Sequence, residues 1–323
     1  MNTRPRRNRK SAAIRDMVQE TQLGVDHLIF PVFLKNGSDI KEPIDSLPNI
    51  YRFSVDVLLK EIESCLELGI RVFDIFPAVA ESLKDKTGTY SFNMDSFYLK
   101  AIQKIKERFP EATLMSDVAL DPYSSDGHDG LVKDGKILND ETLPILAKMS
   151  VAQAQAGIDI IGPSDMMDGR VGVIREALDN AGYTETSIMS YTAKYASSFY
   201  GPFRDALKSA PKSGDKKTYQ MNPANKSEAL IEAQLDIEEG ADMIMVKPAI
   251  CYLDVIHLLK ENFATPVTAY NVSGEYAMVH AAAQKGWLNY NSAMCEMLLS
   301  IRRAGADGIL TYFAKDFAKL MQE

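Results

Sequence analysis

Two hydrophobic periods alternate along the chain. Short apolar, β-branched or aromatic runs bounded by turn residues predict eight strands. They are Leu28 to Phe33, Arg71 to Phe76, Ala112 to Leu120, Ile158 to Pro163, Ser187 to Lys194, Asp242 to Lys247, Pro266 to Val272 and Gly308 to Phe313. Between them, apolar residues recur at three- and four-residue spacing. This predicts helices over Val55 to Leu68, Glu141 to Gly157, Arg170 to Ala181, Ser227 to Gly240, Leu253 to Asn262 and Tyr276 to Ala304. Gly69, Gly157, Gly182, Gly240 and Gly305 close periodic stretches where a left-handed C-terminal cap is expected.

Continuous apolar strands separated by helices imply a parallel sheet covered on its outer face, and eight such units close a (β/α)8 TIM barrel. The expected fold is therefore α/β, with residues 26–323 forming one barrel domain that carries the catalysis. An open doubly wound sheet is less favoured, because no strand leads into a Gly-x-Gly-x-x-Gly turn and no linker divides the chain. Two segments are extra to the barrel. Residues 1–25 carry Arg4, Arg6, Arg7, Arg9, Lys10 and Arg15 with no acid before Asp16, and read either as a loose arm or as a subunit-docking arm. The stretch from Tyr195 to Asn225, with Gly201, Pro202, Pro211, Gly214 and Pro223, is a long loop after strand five that reads as an active-site lid.

Composition narrows the function. A chain of 323 residues with 46% apolar and 25% charged residues is ordinary globular material. The net charge of −8 argues against a general nucleic-acid binder. Cys65, Cys251 and Cys295 are odd in number and widely spaced, so they build neither a disulfide framework nor a CxxC metal site and suit a reducing cytoplasm. No run approaches the ~18 apolar residues of a membrane span, and the N-terminus lacks the apolar core of a signal peptide. The expected setting is cytoplasmic, with neither nucleic acid nor membrane as partner.

In such barrels the chemistry sits where the strands end. Asp117 falls in strand three, Ser164 and Asp165 follow strand four, Lys194 ends strand five and Lys247 ends strand six. Tyr270 and Ser273 belong to strand seven and Tyr312 to strand eight. Neighbouring strands run about 5 Å apart, so two lysines would be aimed into one mouth. Crowded cations in a desolvated pocket disfavour protonation of at least one, which frees an amine to attack a carbonyl and form a Schiff base. A lone strand-end lysine would read equally well as a snorkelling surface group.

The lid carries Arg204, Lys208, Lys212, Lys216 and Lys217 against Asp205 and Asp215, interleaved with Phe199, Tyr200, Phe203 and Tyr219. A basic, aromatic lid suits a small carboxylated substrate, although a solvated loop shares the composition. The segment from Asp117 to Gly130 holds Asp117, Asp121, Asp126, Asp129 and His128. It fits Mg²⁺ binding, proton transfer or plain Asx turns, and without thiols it is a poor zinc site. His27, His257 and His280 lack metal-ligand spacing.

Four motifs together resemble the porphobilinogen synthase (5-aminolevulinate dehydratase) family: Ser190-Tyr-Thr-Ala-Lys194 continuing through Phe203-Arg204, Lys217-Thr-Tyr-Gln220 through Asn225, Met245-Val-Lys247-Pro-Ala249, and Val272-Ser273-Gly-Glu-Tyr276. The resemblance runs from about Arg4 to the end of the chain. It implies condensation of two 5-aminolevulinate molecules, with loss of two waters, to porphobilinogen on the way to tetrapyrroles. Lys247 would form a Schiff base with the first substrate and Lys194 with the second. Ser273 and Tyr312 match residues that hold the first carboxylate, and Arg204, Lys216 and Gln220 those that bind the second. Asp117 would lie near a substrate amino group, with Ser164 and Phe203 also lining the substrate site.

Many members carry three zinc-binding cysteines where this chain has Ala119, Asp121 and Asp129. The resemblance is therefore to an aspartate-rich subclass without catalytic zinc, in which Asp121 and Asp129 would orient substrate or assist proton transfer. It further implies an activating, non-catalytic Mg²⁺ at Glu232, and a homo-octamer whose N-terminal arms wrap a neighbour. The rival readings are a class I aldolase acting on sugar phosphates, and a scaffold whose basic arm binds nucleic acid.

Overall fold

In the computed structural model, residues 1–207 and 211–322 are described. Lys208 of the lid and Glu323 lie outside the described residues. Eight parallel strands form the barrel: β1 (Leu28–Lys35), β2 (Val72–Ala78), β3 (Thr113–Val118), β4 (Ile160–Pro163), β5 (Ser187–Lys194), β6 (Met243–Lys247), β7 (Val267–Asn271) and β8 (Gly308–Thr311). Each pairs with the next in chain order, and β8 returns to β1 through Leu28↔Ile309 and Ile29↔Leu310, so the sheet closes on itself. This is the TIM barrel that the eight apolar runs predict.

Helices cover or flank it: α1 (Val55–Glu67), α2 (Phe97–Arg108), α3 (Asn139–Ala156), α4 (Arg170–Asn180), α5 (Glu228–Glu238), α6 (Leu253–Asn262), α7 (Ser273–Gln284), α8 (Tyr290–Ala304) and α9 (Ala314–Leu320). The amphipathic pattern of α1 shows why they dock, since Leu58, Ile62 and Cys65 are buried on one stripe. The five capping glycines all adopt positive φ.

One expected helix is corrected. Tyr276 to Ala304 is two helices, because Gly286 turns at φ +72° and Asn289 caps the second by accepting from the Ser292 amide at 2.9 Å. Helices α2 and α9 and two hairpins were not expected. One hairpin joins Lys41–Ile44 to Leu47–Phe53 and extends the sheet beside β1, and the other pairs Leu131–Lys133 with Lys136–Leu138 beyond β3. The N-terminal arm contributes a short helix, Ala12–Met17, with no buried residue.

Candidate active site

The site is built where β5 and β6 end. Lys194 and Lys247 are register partners on these neighbouring strands. Their pairing depends on an irregularity: Ile244 faces Ser190 and Val246 faces Ala193, so β5 spends one more residue than β6 over the same span. Both lysines are about 95% buried, each being 5% exposed. They line one pocket with Asp117, Asp121, Ser164, Tyr200, Phe203, Arg204, Lys216, Gln220 and one another.

The two amines have different surroundings. Lys194 Nζ donates to the Ser164 carbonyl and lies 3.7 Å from Asp129 Oδ2. Lys247 Nζ is boxed by rings, with centroids of Tyr270 at 4.5 Å, Tyr191 at 4.9 Å, Phe203 at 5.1 Å and Tyr200 at 5.3 Å. Ring faces favour an ammonium, but they also exclude water. Burial first, and the charge on Lys194 second, push the Lys247 amine down to about 7. A substantial share of it is therefore a free nucleophile near neutral pH.

Carboxylates surround the pair. Asp117, at the end of β3, is raised above the ordinary carboxylate range by burial against the pull of both lysines, and its Oδ1 has no hydrogen-bond partner among the described residues. Asp121 is pushed up to about 6 by burial against the pull of Lys216. For Asp129 burial acts upward too, yet the Lys194 and Lys216 charges win and hold it below the usual range. Lys216 binds both, at 2.7 Å to Asp129 and 3.3 Å to Asp121. His128 does not join this pocket. It ties the loop to the lid through Tyr219 Oη at 3.1 Å and the Ser213 carbonyl at 2.8 Å.

The lid closes over the mouth through several local contacts. Its ends are zipped together where the Met221 amide donates to the Lys194 carbonyl and the Ala196 amide to the Met221 carbonyl. Helix Gly201–Leu207 lays Phe203 against Phe33 and Phe76. Ser273, at the start of α7, accepts from the Phe203 amide at 3.0 Å and donates to the Phe199 carbonyl at 3.3 Å. This close approach requires Gly274, since a Cβ there would meet Phe199 O at 2.6 Å and Phe199 Cα at 2.8 Å.

Nine residues singled out from the sequence thus share or line the pocket: Lys194, Lys247, Asp117, Asp121, Ser164, Phe203, Arg204, Lys216 and Gln220. Asp129 stands behind them, contacting two of the lysines. Ser273 bonds the lid, and Tyr312 sits just past β8 with its hydroxyl 3.0 Å from that of Tyr270, one of the rings facing Lys247. Glu232 does not line the pocket. It lies half-buried on α5, where burial pushes it up to about 7 while Arg170 pulls down and Asp236, Asp168 and Glu228 add to the rise. Among the described residues no group of three or more His, Cys, Asp or Glu side chains is arranged to hold a metal ion.

Sequence reading missed two features. Arg170 and Asp236, both 2% exposed, meet at 3.4 Å under the β4 and β5 ends. Asp236 also accepts from Ser190 Oγ at 2.7 Å and Thr192 Oγ1 at 2.6 Å. This pairing joins distant helices, and no local pattern announces it. Asp74, fully buried within β2, was visible as a charged residue inside the apolar run Arg-Val-Phe-Asp-Ile-Phe.

The sequence model of the family described as delta-aminolevulinic acid dehydratase matches residues 2–320. The chain is 52% identical over 323 residues to the delta-aminolevulinic acid dehydratase of Chlamydia pneumoniae, covering 100% of this chain and 97% of that one. It is 51% identical over 320 residues to the enzyme of the same name from Bacillus subtilis strain 168, covering 99% and 98%. A crystal structure of delta-aminolevulinic acid dehydratase (porphobilinogen synthase) from Toxoplasma gondii ME49, in complex with the reaction product porphobilinogen, superposes with a TM-score of 0.97 at 51% identity, covering 99% of this chain and 92% of that one.

Proposed function

The chain belongs to the delta-aminolevulinic acid dehydratase family, and on that premise we propose how its residues divide the work. The enzyme condenses 5-aminolevulinate, a small molecule, to porphobilinogen in tetrapyrrole synthesis. Two substrate molecules are joined with loss of two waters. The observation that carries the residue assignment is the register pairing of Lys194 with Lys247 in one buried pocket.

In this reading the Lys247 amine attacks the ketone of the first substrate and Lys194 that of the second, each forming a Schiff base with release of water. Holding both ketones as iminium ions turns a bimolecular condensation into a positioned one. Asp117, raised by burial, exchanges a proton with a substrate amino group nearby. Asp121 and Asp129 orient Lys216. The first carboxylate binds Ser273 and Tyr312, and the second binds Arg204, Lys216 and Gln220 from the lid. Phe203 and the tyrosine box keep water out.

Asp121 and Asp129 stand where thiolate ligands would be needed, and Lys216 already pairs with both, so the donor set does not fit a catalytic zinc. Glu232 fits an activating Mg²⁺. Its half-buried carboxyl carries no hydrogen bond to a neighbouring acid among the described residues, and Mg²⁺ is commonly held by one or two carboxylates and several waters. When bound there, the ion would neutralise Glu232 away from the chemistry. The assembly is a homo-octamer, with the exposed basic arm of residues 1–25 gripping a neighbouring subunit. Free Cys65, Cys251 and Cys295 support a cytoplasmic, reducing setting. No helix among the described residues is long and apolar enough to cross a membrane.

Borohydride trapping with 5-aminolevulinate, followed by peptide mass spectrometry and a parallel pyrrole assay, tests the assignment. Adducts on Lys247 and Lys194 together with pyrrole support it. Pyrrole without an adduct on either lysine overturns it.

A further inference from the structure

The hairpin beside β1 contributes no side chain to the pocket, but it holds the lid helix Gly201–Leu207 near both ends. In the first turn of that helix the Pro202 carbonyl accepts from Ser46 Oγ at 3.4 Å. In the last turn Arg52 donates from Nε to the Ala206 carbonyl at 2.6 Å and from Nη2 to the Asp205 carbonyl at 2.7 Å. Its Nη1 meets Glu42 Oε1 at 2.6 Å, and the other oxygen of Glu42 accepts from Lys35 at the end of β1. Arg52 is 8% exposed and is the register partner of Phe33, whose ring packs against Phe203.

An ordinary cross-strand ion pair does not require this arrangement. Glu42 and Arg52 face each other across the hairpin, and a lysine would serve that pair as well. Only the planar guanidinium offers a fork that spans two successive carbonyls and keeps a third donor for the carboxylate. The last carbonyls of a helix have no amide further along it to accept from, and the negative end of the helix dipole lies there. A helix of seven residues has little stability of its own, so tertiary anchors decide where it sits. On the side of α7 the anchor is Ser273, bonded to the Phe203 amide. On the hairpin side it is Arg52.

We propose that Arg52 is a positioning residue for the reaction: by clamping the Asp205 and Ala206 carbonyls it fixes the lid helix, and with it Phe203 facing Lys247 and Arg204 in the pocket. The inference rests on the reading of Arg204 as a ligand of the second carboxylate. With the clamp released, the first substrate still reaches Lys247. The second finds its carboxylate partner displaced.

In Arg52→Ala, KM for 5-aminolevulinate should rise about tenfold and kcat/KM should fall by about 10²-fold, while borohydride still traps the first substrate on Lys247. Arg52→Lys retains the charge without the fork and should raise KM by about threefold at an unchanged melting temperature. Glu42→Gln leaves the fork but removes the anion that orients it, and should raise KM in the same direction by less. These two variants keep the test open if Arg52→Ala does not fold, and thermal unfolding of each accompanies the kinetics.

A lowered melting temperature with KM and kcat/KM unmoved would mark Arg52 as merely structural and overturn the proposal. Full activity in Arg52→Lys would show that charge alone suffices, and overturns the clamp as well. Arg204→Ala separates the premise from the inference. An unmoved KM in Arg204→Ala removes the reading of Arg204, whereas a raised KM there beside unmoved Arg52 variants removes only the role of Arg52.

Discussion

Lys194 and Lys247 are partners in one strand register, yet their amines answer to different neighbours. Lys194 Nζ is held by a backbone carbonyl and stands 3.7 Å from Asp129, while Lys247 Nζ sits among four aromatic rings. The same residue type at the same depth is thereby given two tasks. The amine in the ring box is the one whose proton is pushed off toward neutral pH, by burial first and by the Lys194 charge second.

That asymmetry predicts a pH dependence. Lys247, pushed down to about 7, must be neutral to attack, so adduct formation on it should rise with pH through about 7 and then level off. Replacing Lys194 by Met removes the second-largest force driving the proton off, so the limb for Lys247 adduct formation should move to higher pH. Trapping the first substrate across a pH series, with quantification of the modified peptide, measures both.

Asp129 neutralises Lys216 and lies beside Lys194. In Asp129→Ala two buried cations lose their shared anion, and turnover should fall by ~10²-fold or more. Steady-state kinetics decide it, and unchanged kcat with unchanged KM would remove Asp129 from the reaction.

Gly274→Ala should weaken lid closure. The added Cβ meets the Phe199 backbone, which cannot swing aside as a side chain would. Within a helix, alanine is otherwise favoured over glycine by roughly 0.5–1 kcal/mol. The expected outcome is an undiminished melting temperature with kcat/KM lowered about tenfold. Limited proteolysis of the lid should be faster in the variant.

Asp236→Ala should unfold the chain more easily by about 3 kcal/mol, because Arg170 would lose its nearer carboxylate and keep only Asp165 at 3.8 Å, and Ser190 and Thr192 would lose their acceptor. Equilibrium denaturation in urea gives the value. A loss under about 1 kcal/mol would mean that water reaches Arg170.

Glu232→Ala should abolish activation by Mg²⁺ while a metal-free basal rate persists, since the residue lies outside the pocket. Titrating the ion against pyrrole formation checks it, and persistent activation would place the ion elsewhere.

The barrel was legible because parallel strands buried on both faces leave unbroken apolar runs, as Ile-Met-Val before Lys247 illustrates. The hairpin at Lys41–Ile44 was not, since an edge strand reading Lys-Glu-Pro-Ile has no alternation to detect. The split between α7 and α8 was hidden because apolar spacing continues across Gly286, and only a cap at Asn289 marks the restart. Within the site, strand ends could be located because their position is a property of the fold. Which strand-end groups touch could not, because the contact of Lys216 with Asp129 spans 87 positions and depends on lid placement.

The additional residue that β5 carries between Ser190 and Ala193 sets a limit on how this chain can change. Side chains alternate across a strand, so a β5 that kept this residue but paired without the irregularity would still close an eight-stranded barrel, would set Ala193 opposite Lys247 and would turn Lys194 toward the surrounding helices. Such a protein would keep one amine in its mouth. It could activate a single ketone, in the manner of a one-lysine aldolase, and would have no means to hold a second. Whether the scaffold handles one carbonyl compound or joins two is thus decided by strand register as well as by the choice of residues.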